Sequence, residues 1–222
     1  MPKLPNELEK ALPGIHQFEA YIKEGKCTPA DLGYRDSWRA FKEFARRYRF
    51  SWNYQGLRLS GYADQTVLGY EAVTKTFFVW TAFERYQSIA GLRYKELFRN
   101  VDRQVFVDLK KVVEDNDPDQ KLKNSLLEHS HEKAQDNLYR FYAGNPYYVI
   151  QLAGALRNMF AHGYLTAHPG SLRPEKLDII CTALSQFLLA FMRADFNRRL
   201  QPVVRRLESR AMGLRSPAAR RC

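Results

Sequence analysis

Apolar residues return along this chain mostly at intervals of three and four, and strict alternation is scarce, so the pattern predicts helices throughout. Thr28-Pro29-Ala30-Asp31 reads as a capped helix start with proline in the first helical position. Trp38, Phe41, Ala45 and Tyr48 then make one apolar stripe, flanked by Arg39, Lys42, Arg46, Arg47 and Arg49. Phe50 to Gly61 loses the period and reads as a linker after an N-terminal helical extension (residues 1–60). The body that follows (61–205) shows helical segments over Asp64–Ala90, Tyr94–Asp115 and Asp119–Tyr142. A fourth opens at Asn145-Pro146 and ends at Gly163; the last starts after Arg173-Pro174 and stops at about Leu200, before Pro202. Short connections between long amphipathic helices favour antiparallel neighbours. The expected fold is all-α, an up-and-down bundle of four to five main helices with the N-terminal extension.

Composition narrows the class. With 45% apolar and 27% charged residues, 222 residues can bury a core as one domain with an appendage. Three widely spaced cysteines, Cys27, Cys181 and Cys222, suggest no disulfide framework and fit a reducing cytoplasm. The N-terminus lacks the apolar centre of a signal peptide. The most apolar runs, Phe77–Phe83 and Leu184–Met192, are too short to span a bilayer, so no membrane association is expected.

Charge adds a direction. The net charge is +11, and from Arg193 onward nine arginines stand against only Asp195 and Glu208. Guanidinium pairs with phosphate in a bidentate way, and counterion release drives such binding. Arg198, Arg199, Arg205 and Arg206 are therefore the candidate RNA contacts. Residues 206–222 read as a disordered basic tail, and plain solvation of that tail remains an equal use for its charge.

The stretch Leu156-Arg157-Asn158-Met159-Phe160-Ala161-His162-Gly163 concentrates the chemistry. It sets a permanent cation, an amide and an imidazole at a helix end, the groups that metal-free phosphodiester cleavage uses. Residues five apart lie about 140° round an ideal helix, so Arg157 and His162 meet only if the helix unwinds before Gly163. Asn158, four residues before His162, is placed to orient its ring. Glu84 occupies the next position on a stripe of Val73, Phe77 and Trp80, where a carboxylate needs a partner; Arg157 is the expected one. Two uses remain open for these groups, a reactive site or a salt-bridged and capped helix end.

The motif resembles the signature of the HEPN superfamily, an Arg, a polar residue and three more residues before a His. The resemblance covers the bundle from about Gly61 to Leu200, with its specific part confined to Arg157–His162. It implies an all-α bundle with the motif at the end of the third core helix. It also implies metal-independent endoribonuclease activity without a cofactor, at a site shared across a homodimer. Arg157 and His162 then become the catalytic candidates, Asn158 the intervening polar group and Glu84 a supporting acid. A toxin or defence role with an antitoxin or regulatory partner follows from the same resemblance. The competing function is a non-catalytic helical module that binds nucleic acid or a protein. His129-Ser130-His131 is discounted as a metal site, because on a helix the two rings face opposite ways. Tyr139, Phe141 and Tyr142 read as packing residues; Tyr147 and Tyr148 are open to base stacking.

Overall fold

Capping chemistry sets the helix ends more sharply than the apolar period does. The computed structural model describes residues 7–164 and 166–213. Its N-terminal part holds α1 (Glu7–Ala11), α2 (Ile15–Lys23) and α3 (Trp38–Asn53). Thr28 and Asp31 do form a reciprocal cap, but for a single 3-10 turn, Pro29–Leu32, which Gly33 ends at φ 74°. Ser37 then opens α3 by accepting the Ala40 N–H at 3.3 Å. Phe50 to Asn53, expected in a linker, are the last turn of that helix.

The remainder comprises α4 (Asp64–Ala90), α5 (Tyr94–Leu97), α6 (Arg103–Asn116), α7 (Lys121–Glu128), α8 (Glu132–Tyr142), α9 (Gln151–Ala161) and α10 (Pro174–Gly213). No strand occurs among the described residues, and the class is all-α. Two expected single helices are each divided. Asp102 accepts the Gln104 N–H at 2.9 Å and starts α6 afresh after α5. His131 accepts the Ala134 N–H at 3.4 Å and starts α8 after α7 has closed at His129. Asn145 opens a 3-10 turn, Pro146–Ile150, that runs directly into α9.

Helix α4 is the element around which the others gather. It is apolar on nearly every side, with Val73, Val79, Trp80, Phe83, Tyr86 and Ile89 buried, because α3, α9 and α10 all pack on it. Helices α1 to α3 share this core: Phe18, Phe41 and Phe44 meet, mostly edge to face, at ring distances of 5.2–6.2 Å among themselves and with Phe196 of α10.

Helix α10 departs from expectation twice. It does not stop before Pro202 but continues through it to Gly213. The proline forfeits one backbone hydrogen bond, yet burial of Leu200 and Val203 on either side and an Arg206–Asp31 ion pair at 2.5 Å hold the helix together. Residues 206–213, expected in a disordered tail, are therefore helical; 214–222 lie outside the described residues. Helix α10 is also long and apolar enough to cross a membrane by length and composition, with a mean hydropathy of 1.5 over its most apolar window. Counting uninterrupted apolar runs missed this. In the fold, Leu177, Ile180, Leu184, Leu188 and Met192 spend that apolar surface on the protein core.

Candidate functional site

The end of α9 is placed by one glycine. A Cβ on Gly154 would lie 2.7 Å from Cζ2 of Trp80, so a side chain there would push α9 away from α4. With the helices this close, the Phe77 and Phe160 rings meet at 4.7 Å and the Arg157 guanidinium reaches Glu84, Nη2 to Oε2, at 3.4 Å. Arg157 Nη1 donates to Asn158 Oδ1 at 2.9 Å, while its Nε is buried with no acceptor. Arg157 and Glu84 are both partly exposed, at 32% and 41%, so this pair contributes little to stability and chiefly fixes direction.

His162 ends the helix with φ −95° and ψ 6°, and Gly163 follows at φ 73°. The Gly163 N–H goes to Phe160 O at 3.2 Å and the Tyr164 N–H to Met159 O at 3.0 Å. This is the Schellman closure, which needs a left-handed residue at Gly163 and satisfies the last carbonyls without a side chain. His162 is exposed, and among the described residues its ring has no hydrogen-bond partner. Asn158 does not orient it: the amide oxygen is taken by Arg157, and only its backbone carbonyl accepts from the His162 N–H, at 3.0 Å. The fold thus unites Arg157, Asn158 and Glu84, but the helix stays wound through Ala161, so the unwinding that would bring His162 to Arg157 does not occur and His162 stands apart on open surface.

The chain after the motif turns back over α4. A Cβ on Gly69 would fall 2.3 Å from the Ala167 carbonyl oxygen, which marks backbone laid directly on the helix. His129, set aside as a metal ligand, stands at this loop instead, with Nδ1 2.8 Å from Ser125 O and its ring 5.0 Å from that of Tyr164. No cluster of three or more metal-ligating side chains occurs among the described residues.

The candidate RNA arginines divide. Arg199 is internal: its Nε donates to Asp195 at 2.7 Å, its Nη1 to Leu32 O at 3.2 Å, and it lies over the Tyr34 ring. It closes a buried polar cluster and presents no guanidinium to a phosphate. Asp195 is 5% exposed and also accepts from Arg198 and from the Tyr86 hydroxyl. Burial alone would raise the Asp195 carboxyl, but the bonds from Tyr86, Arg199 and Arg198 outweigh it and hold the group below the usual carboxylate range. Burial pushes the Tyr86 hydroxyl well above its ordinary value, with Tyr34 and Asp195 adding to it. Arg206 pairs with Asp31, and of these four arginines Arg205 alone is exposed with no acidic partner among the described residues. The burial pattern expected of the aromatic cluster holds for Phe141, whereas Tyr139 and Tyr147 are exposed and Arg140 covers Tyr148.

Two open grooves lie elsewhere, flanking the end of α3. One, of about 590 Å³, is lined by Arg46, Arg49, Phe50, Asn53, Tyr54 and Gln55. The other, of about 460 Å³, is bordered by Trp52 and by Gln186, Leu189, Ala190 and Arg193 of α10. Placing Phe50 in a linker hid this surface in the sequence. The signal that finds it is the recurrence of Arg39, Lys42, Arg46, Arg49 and Asn53 at three and four. Compared with protein-family profiles, curated proteins and solved structures, the chain finds no match in any of the three.

Proposed function

We propose that this chain is a metal-independent endoribonuclease of HEPN type, acting on single-stranded RNA as a homodimer. The observation that carries this reading is one helix end that carries a steadied guanidinium and, five residues on, a free imidazole. Arg157 is held by Glu84 and Asn158, and His162 projects from the C-cap with no internal partner. Arg157 Nη1 makes one hydrogen bond and Nη2 an ion pair, so the two terminal nitrogens keep further N–H donors for a phosphate.

In this mechanism His162 removes the proton from a ribose 2′-OH, and the oxygen attacks the adjacent phosphorus. Arg157 stabilises the charge that builds on the phosphorane. The P–O5′ bond breaks, the leaving oxygen takes a proton from the partner's His162, and a 2′,3′-cyclic phosphate remains. A second protomer is part of the proposal because the HEPN resemblance implies a site shared across a homodimer. A toxin or defence role, with a neutralising partner protein, belongs to the same proposal.

A non-catalytic binding module is the second reading, favoured by one observation: Arg157 is engaged internally and its Nε is buried. The two are separated by incubating wild type, Arg157→Ala and His162→Ala with single-stranded RNA in EDTA. Cleavage by wild type alone supports the nuclease. Equal behaviour of all three proteins rejects it.

A further inference from the structure

The last turns of α3 carry an uncommon combination for a solvent-facing helix. Arg39, Lys42, Arg46, Arg49 and Asn53 share one face, and Phe50 borders it. Phe50 is 56% exposed and Trp52 40%, although a folded chain normally covers rings of this size. Neither Arg46 nor Arg49 has an acidic partner within 4 Å among the described residues, and no described lining residue of either groove is acidic. Both rings are held in place by neighbours. Phe50 stands edge-on to Phe78 at 4.6 Å, and Trp52 is stacked on Tyr48 at 6.2 Å with the Arg193 guanidinium 5.5 Å from its ring centre.

From this geometry we infer that the α3 end, with its two flanking grooves, is a binding platform for single-stranded nucleic acid. Phosphates pair with Arg46, Arg49 and Arg193, and unpaired bases stack on Phe50 and Trp52. Fixed aromatic faces between unpaired cations are what an unstructured strand requires, because every base offers a π face and every linkage a charge. A duplex hides its base faces and can use only the cations. A second copy of the chain fits poorly here, since a two-fold contact would set Arg46 and Arg49 against their own copies on a protein of net charge +11.

The platform extends the nuclease proposal by saying where a strand lies. Phe50 meets Phe78, Phe78 meets Phe77 at 5.5 Å, and Phe77 meets Phe160, two residues before His162. The groove and the end of α9 are thus joined by successive ring contacts across α4.

Binding is measured apart from cleavage, using the full chain with His162→Ala and fluorescently labelled 20-nucleotide single-stranded RNA, single-stranded DNA and duplex DNA. Both single strands are expected to bind more tightly than the duplex. Phe50→Leu or Trp52→Leu should weaken single-strand binding by about 5- to 150-fold, the range for losing one stacked base. Phe50→Trp should retain it, which separates stacking from a folding defect. Arg46→Ala with Arg49→Ala should lower the slope of log affinity against log salt by about 1.4, or about 0.7 per phosphate contact. Lys133→Ala, an exposed cation on α8, should change none of these. Duplex binding as tight as single-strand binding, leucine variants that bind normally, or an unchanged salt slope would each overturn the assignment. Binding that follows this pattern in a wild type that cleaves nothing would retain the platform and remove the nuclease.

Discussion

Asp195→Asn removes one negative charge from a buried polar cluster. The carboxylate is 5% exposed and receives Tyr86, Arg198 and Arg199; of these, Tyr86 is fully buried and the Arg199 side chain is 12% exposed. The amide can still accept a bond, but Arg199 loses its counter-charge and keeps only the Leu32 and Gly33 carbonyls and the Tyr34 ring. Taking one partner from a buried ion pair costs about 3–5 kcal/mol. For a domain of this size that is roughly 6–20 °C in Tm. Tyr86→Phe deletes only a hydroxyl bond to a charged acceptor and should cost about 1.5–3 kcal/mol. The pH dependence has a definite sign. A carboxyl held below its ordinary value stabilises the fold above about pH 4, and that contribution is lost as pH falls through its folded pKa. The gap between wild type and Asp195→Asn should therefore be widest at neutral pH and close in acid. Urea melts followed by circular dichroism from pH 2 to 7 measure both quantities. A neutral-pH loss below about 1 kcal/mol, or a gap that widens in acid, would refute the assignment of Asp195 as the linchpin between α10, α4 and the N-terminal turn.

Other perturbations test the placement of the motif. Gly154→Ala puts a methyl against Trp80 and should cost about 1–3 kcal/mol in the same melts, as over-packing does; a neutral result would show that α9 is not seated against α4 as described. Glu84→Gln should change stability by less than about 1 kcal/mol, since the pair is partly exposed. Its RNA cleavage at saturating substrate should nevertheless fall about tenfold or more, and full activity would remove Glu84 from the positioning of Arg157. Gly69→Ala should destabilise the protein and increase protease cutting near Ala167, because the clash is with backbone that cannot rotate away; resistance equal to wild type would contradict the loop's path over α4.

The helical class was legible because apolar residues at three and four are a summed signal over many positions. Boundaries were less so. Asp102 and His131 each restart a helix through one side-chain bond, which leaves almost no trace in the apolar period. Pro202 misled in the opposite direction: its local cost is met by the burial of Leu200 and Val203 and by Asp31, residues distant in sequence from one another. The approach of Glu84 to Arg157 could be anticipated because a carboxylate on an apolar stripe needs a partner. The occupation of Asn158 by Arg157 could not, since both bonds were open to the amide and only the rotamer decides. Arg199 looked like a phosphate ligand because sequence reports charge but not the buried acceptors around it.

The most direct measurement is the chemistry of the cut ends. A single-stranded RNA and a copy carrying one 2′-deoxy nucleotide at the cut site are incubated with wild type and His162→Ala in EDTA, and the products are read by mass spectrometry. The account predicts 2′,3′-cyclic phosphate ends from wild type, none at the deoxy position, and no products from the variant. Cutting at the deoxy position, or equal cutting by the variant, would contradict it.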